Sequence, residues 1–173
     1  MNCIQSLFSR LKRRAVGWYY QRLLRRYEDC RTVSLGVKGE DYAAAYVLSK
    51  GYEIAGRNWR DGRNEVDLIA WDGETLVFIE VKTRADEEIE PPERNVNNKK
   101  QRRILCAADS YCRLHVAEIN GAEVRFDVAA IIWSPGQSRP SKIRYWKSAF
   151  GSQFVESFLM NSRFRAEKNS RRK

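Results

Sequence analysis

Glu80 and Lys82 stand in one of the most apolar stretches of the chain, between Leu76, Val77, Phe78, Ile79 and Val81. In an extended strand alternate side chains share a face, so Val77, Ile79 and Val81 point one way and Phe78, Glu80 and Lys82 the other. In the preceding segment Val66, Leu68 and Ala70 alternate with Glu65, Asp67 and Ile69. The Asp72-Gly73 pair between the two segments signals a tight hairpin, and such a hairpin delivers Asp67 beside Glu80. Two carboxylates so placed repel and are costly to desolvate unless a cation joins them. Lys82 can be that cation, and so can a divalent metal. Oxygen-only donors suit magnesium or manganese rather than zinc. At a phosphodiester the metal would polarise the phosphate and activate a water, while the lysine would orient that water or offset developing charge. Glu40, near the first turn of an upstream helix, supplies a third carboxylate. Asp67, Glu80 and Lys82 could equally form a structural ion-pair cluster at a sheet edge. An E-x-K pattern alone does not decide between the two.

The elements that must position these residues follow from periodicity and turn signals. Residues 36–50 carry Glu40, Ala43, Ala44, Val47 and Leu48 at helical spacing and stop at Gly51. Strands are expected over 52–59, 65–71 and 75–83, with turns at Asp61-Gly62 and Asp72-Gly73, giving an antiparallel meander. Residues 97–114 read as a second helix bearing Ile104, Leu105, Ala108 and Tyr111, and 123–133 as a final strand. The loop 85–92 is rich in acids and prolines. The class is α/β, in the order helix, three strands, helix, strand.

The chain of 173 residues has room for one domain with extensions, and its formal charge of +10 is unevenly placed. Residues 1–35 hold eight Lys/Arg against two acids, and 137–173 hold ten against two. The middle, 36–136, is net acidic, with fourteen Lys/Arg against eighteen Asp/Glu. A carboxylate-rich domain between two basic arms suits an anionic partner, although basic arms can also serve solubility alone. In the first arm Ile4, Leu7, Phe8, Leu11, Ala15, Trp18, Tyr19, Leu23 and Tyr27 recur at three- and four-residue intervals among arginines. Such a basic amphipathic helix can pack on the domain, grip nucleic acid or lie on an anionic membrane. The end of the second arm is expected to be disordered.

Cys3, Cys30, Cys106 and Cys112 show no CxxC pair, and no signal peptide precedes them, so reduced thiols in the cytoplasm are expected. With His115 as the sole histidine, a structural zinc site or a Ser/His/Asp triad lacks material. His115 is expected as a surface residue at a helix end. No apolar run approaches the ~20 residues that span a bilayer.

An ordered set of motifs runs through the middle of the chain: Gly39-Glu40 to Ala44, Gly51-Tyr52, Arg57-Asn58-Trp59-Arg60, Glu65-Val66-Asp67-Leu68-Ile69-Ala70, Phe78-Ile79-Glu80-Val81-Lys82-Thr83-Arg84, Lys100 and Phe126-Asp127-Val128. This set resembles the YraN-like bacterial family, grouped with PD-(D/E)xK endonucleases and Holliday-junction resolvases. The resemblance spans 36–133 and neither arm. It implies a restriction-endonuclease-like core with a mixed sheet. It also implies metal ligation by Asp67, Glu80 and the Val81 carbonyl with Glu40, Lys82 as catalytic lysine, and nucleic-acid contacts from Lys100, Arg84 and Arg103. Magnesium or manganese would be the cofactor and DNA the partner, in branched or damaged form, and a homodimer is compatible. Asp127 is expected to be structural. The family usually has Gly where this chain has Asn64, which also tolerates positive φ. The leading expectation is a metal-dependent endonuclease. A non-catalytic nucleic-acid-binding module and a membrane-surface adaptor held by the first arm stand as alternatives.

Overall fold

A computed structural model describes residues 33–85, 96–119, 122–134 and 136–151, together with Arg22. Helix α1, Leu35–Ser49, begins where the Ser34 hydroxyl accepts the Val37 N–H, and the chain leaves it through Gly51 at φ 92°. Strands β1 (Glu53–Asp61), β2 (Asn64–Asp72) and β3 (Thr75–Arg84) then form the expected meander. Both hairpin turns use glycine at positive φ, Gly62 at 58° and Gly73 at 64°. Asn64 is an ordinary strand residue, so Gly62 meets the conformational demand once assigned to position 64.

Helix α2, Asn98–Leu114, crosses back so that β4 (Glu123–Ile132) runs parallel to β3, as a helical crossover permits. A short α3, Val116–Ile119, follows α2. The sheet order is β1-β2-β3-β4-β5, its last member being Lys142–Trp146, antiparallel to β4. Strand β5 was not expected. It lies in the stretch after Gly136 that the charge pattern assigns to an extension, so the sheet continues past that boundary. Its alternation is blurred by Lys142 and Arg144, charged residues half-hidden or exposed at a sheet edge. The described residues show no helix long and apolar enough to cross a membrane. The expected first-arm helix, the acidic residues of the 85–92 loop beyond Ala85 and the chain end lie outside the described residues.

Each face of the sheet is covered by one helix. Tyr42, Ala43 and Val47 of α1 pack with Leu68, Ala70, Val77, Ile79, Val81, Ala129 and Ile131. Ile104, Ala107, Ala108 and Tyr111 of α2 pack with Val66, Ile69, Phe78, Phe126 and Val128. The expected face-sharing of Val66, Leu68 and Ala70 therefore fails at its first member, which lies under α2 while the others lie under α1. The cause is visible in the neighbouring strand. Between the pairs Arg57↔Leu68 and Trp59↔Val66, Asn58 adopts φ 50°, a conformation Asn tolerates better than other non-glycine residues. Arg57 then pairs with Asp41 on α1, whereas Trp59 meets Tyr111 on α2, edge to face at 5.1 Å. Both strands change face together at Asn58 and Asp67.

The approach of α1 to β3 depends on a missing side chain. A Cβ added at Gly39 would fall 1.8 Å from Thr83 Oγ1 and 3.0 Å from its Cβ. Gly39→Ala is expected to lower stability by about 1–3 kcal/mol through overpacking, despite the ~1 kcal/mol that Ala gains over Gly in a helix. Urea denaturation checks this, and an unchanged or raised midpoint would contradict the contact.

Candidate metal and nuclease site

The β2/β3 ladder runs from Asp72↔Thr75 to Leu68↔Ile79 and pairs no residues beyond it. There Asp67 replaces a backbone partner with its side chain: Oδ2 accepts the Val81 N–H at 2.7 Å. Glu80, the next residue along β3 after Ile79, is only 1% exposed. Its Oε1 lies 2.6 Å from Lys82 Nζ, as alternation along β3 requires for residues two apart on one face. Its Oε2 lies 3.2 Å from Lys100 Nζ, yet this buried oxygen accepts no hydrogen bond of acceptable geometry. Lys100 therefore meets Oε2 as an ion pair outside hydrogen-bond geometry.

Lys100 reaches this point from the first turn of α2. Asn97 caps the helix by accepting the Lys100 N–H at 2.9 Å, which fixes where the side chain departs. The ammonium also donates to Glu65 Oε1 at 2.9 Å. The Lys100 hydrogen bond holds the Glu65 carboxyl below its usual range, with Arg60 and Arg103 assisting. Burial disfavours the Lys100 cation, but Glu80 and then Glu65 outweigh it and raise its pKa.

Burial and then the Glu80 carboxylate push Asp67 up to about 7, against the opposing pull of the Val81 N–H and Lys100. Asp67 and Glu80 are also within hydrogen-bonding reach of each other, so the protonated Asp67 can donate to its neighbour. An aspartate whose pKa is raised on folding stabilises the fold fully below its unfolded value, and that contribution is lost as pH rises through about 7. In chelator, the wild type should therefore lose stability relative to Asp67→Asn between about pH 4 and pH 7. The displacement corresponds to at most about 4 kcal/mol. Urea melts of both proteins across that range check it, and a gap that stays constant with pH would contradict the coupling of Asp67 to Glu80.

The structure brings Asp67, Glu80 and Lys82 together and adds Lys100 and Glu65. It does not bring in Glu40. Among the described residues no group of three or more metal-binding side chains is close enough to hold an ion, so the expected three-carboxylate cluster does not form. The reason is topological: α1 packs on the Val77, Ile79 and Val81 face, opposite to that of Glu80 and Lys82. Lys100, expected to meet phosphate, instead spans two carboxylates. Arg84 is exposed at the end of β3, and Arg103 is half-buried one turn along α2 from Lys100. The Glu65–Lys100 pair was missed. The Asn97 cap three residues before Lys100 was the available signal, since it fixes which side chains emerge from the first turn.

The donor chemistry nevertheless fits a divalent ion. Two carboxylates, one with a buried oxygen lacking a hydrogen bond, match the way magnesium is commonly held, with waters and substrate oxygens completing its shell.

Asp127 lies elsewhere, fully buried on the α1 side of the sheet. It accepts from Arg125 Nε at 2.9 Å, Tyr145 Oη at 2.7 Å and Ser148 N at 2.9 Å. Arg125 also reaches Asp72 at 2.8 Å. Burial opposes ionisation of Asp72, but hydrogen bonds from Lys147 and Arg125 hold its carboxyl at about 2. This network ties β2, β4 and β5 together, as expected of a structural Asp127. His115 caps the C-terminus of α2 and is half-buried, stacked on Tyr111 at 4.1 Å, so it is less of a surface residue than expected. Cys106 and Cys112 are free thiols.

A family model described as "Uncharacterised protein family UPF0102" matches residues 39–131, a span that includes Glu40, Asp67, Glu80, Lys82 and Lys100. A UPF0102 protein of Chlorobium limicola is 50% identical over 99 residues, covering 57% of this chain and 75% of its own. A UPF0102 protein of Phocaeicola vulgatus is 39% identical over 115 residues, covering 66% and 90%. A third, of Rhodococcus opacus, is 42% identical over 118 residues, covering 68% and 97%.

Proposed function

Because this chain belongs to the UPF0102 (YraN-like) family, part of the PD-(D/E)xK nuclease-like superfamily, we propose that it is a divalent-metal-dependent endonuclease hydrolysing phosphodiester bonds in DNA. The observation that carries this reading is the pair of half-buried Asp67 and buried Glu80, with Lys82 on one Glu80 oxygen and the other without a hydrogen bond. Asp67, Glu80 and the Val81 carbonyl would hold the ion, magnesium or manganese. When bound, the ion supplies Lewis-acid polarisation of the phosphate and a water of lowered pKa. Lys82, one-third exposed at the side chain, donates from Nζ to the attacking water or to a phosphoryl oxygen as charge builds there. Arg84 and Arg103 attract the phosphate backbone. Branched or damaged DNA is the proposed substrate class.

A second reading has one observation in its favour. Glu40 does not join the pair, and two ammonium groups already stand against Glu80, as in a structural ion cluster within a nucleic-acid-binding module without chemistry. Supercoiled plasmid with magnesium separates the two. Nicking that stops on chelation supports the enzyme, whereas retardation without nicking in either condition supports the module and overturns the proposal.

A further inference from the structure

We propose that Glu65 is a positioning residue that shares the Lys100 ammonium with Glu80 Oε2 and so weakens the lysine's hold on an oxygen that a divalent cation would use. This inference rests on the metal-site reading above and assigns a role to a residue outside the ligand set. Lys100 Nζ stands 2.9 Å from Glu65 in a hydrogen bond and 3.2 Å from Glu80 without one. Asn97 fixes the backbone of Lys100 and Glu65 fixes its tip, so the side chain is anchored at both ends. Glu80 is almost fully buried, and without Glu65 the nearest buried acceptor for the ammonium is Oε2 itself.

An ammonium hydrogen-bonded to Oε2 would occupy one of the two Glu80 oxygens, while Lys82 occupies the other. A metal would then have to displace a charge-assisted bond rather than meet an open lone pair. With Glu65 in place, the Lys100 hydrogen bond goes to Glu65, and its ion pair with Oε2 stays outside hydrogen-bond geometry. Lys100 is in this sense a cation of the site that is kept from closing it. Outer-shell partners of this kind commonly change metal affinity by about 10–100-fold.

The test is manganese binding to the full chain, followed by calorimetry and by the electron paramagnetic resonance of the free ion, with no DNA present. Glu65→Ala should weaken manganese binding about tenfold or more. Lys100→Ala in the Glu65→Ala chain should restore it, because no ammonium is left to take Oε2. Glu65 is half-buried and outside both core clusters, so its replacement leaves the core intact. Glu65→Gln, which keeps an acceptor for the ammonium, should retain more of the affinity than Glu65→Ala. Unchanged affinity in Glu65→Ala overturns the inference, and so does a loss that Lys100→Ala fails to restore. Absence of manganese binding in the wild type, or binding that survives Glu80→Gln, overturns the metal-site reading and the inference with it.

Discussion

Lys82→Ala should reduce DNA cleavage by about 10²-fold or more while leaving DNA affinity nearly unchanged. Removing a single preorganised group that meets developing charge has an effect of that size. Lys82 Nζ contacts one oxygen of a buried carboxylate and is itself partly exposed, so it can meet both the site and an incoming phosphodiester. Truncation strands Glu80 with Lys100 as its remaining cationic neighbour, and the metal-free protein should melt at a lower temperature. Magnesium should recover most of that loss by supplying the missing positive charge. Lys82→Arg should not rescue cleavage, because a planar guanidinium cannot reproduce the compact ammonium at 2.6 Å from Glu80 Oε1. Single-turnover cleavage with saturating enzyme measures the effect. A variant that cleaves at the wild-type rate would remove Lys82 from the chemistry.

Asp127→Ala should show the opposite pattern, a large stability loss with little change in the activity of the folded fraction. Its carboxylate accepts from Arg125, Tyr145 and Ser148, and none of it is exposed. Deletion leaves Arg125 Nε, the half-buried Tyr145 hydroxyl and the Ser148 N–H without this acceptor, while Arg125 keeps Asp72. Breaking a buried ion pair from one side costs about 3–5 kcal/mol. The loss should appear as a lower urea midpoint, with β5 loosened first, since Tyr145 and Ser148 connect that end of the sheet to Asp127. Hydrogen exchange at residues 142–146 checks the second part. A stability loss below about 1 kcal/mol would show that the network contributes little.

The contrast between Lys82 and Asp127 shows what the sequence can and cannot reveal. Periodicity and turns locate α1, the meander, α2 and β4, because caps such as Gly51 and turns such as Asp72-Gly73 are local chemistry. The placement of Glu80 and Lys82 on one face is likewise local, a consequence of two-residue alternation in an unbroken strand. Three things are not local. The change of face at Asp67 follows from the positive φ of Asn58 on the adjacent strand. The link between Glu65 and Lys100 depends on how α2 crosses the sheet. The exclusion of Glu40 from the pair depends on which face α1 covers. Each is decided by tertiary packing, which a linear pattern of residue types does not encode. Strand β5 escaped for another reason: its charged edge positions resemble the basic stretch around it more than a strand.

Phosphodiester cleavage by the full chain over single-stranded, duplex, flap and four-way DNA, in magnesium and in manganese, bears on the central claim most directly. Wild-type protein is expected to cut at least one of these substrates in a metal-dependent manner, and Glu80→Ala is expected to cut none while still binding it. Cleavage that persists in Glu80→Ala, or a wild type that binds every substrate and cuts none in either metal, would contradict the assignment of the Asp67/Glu80 pair as a nuclease centre.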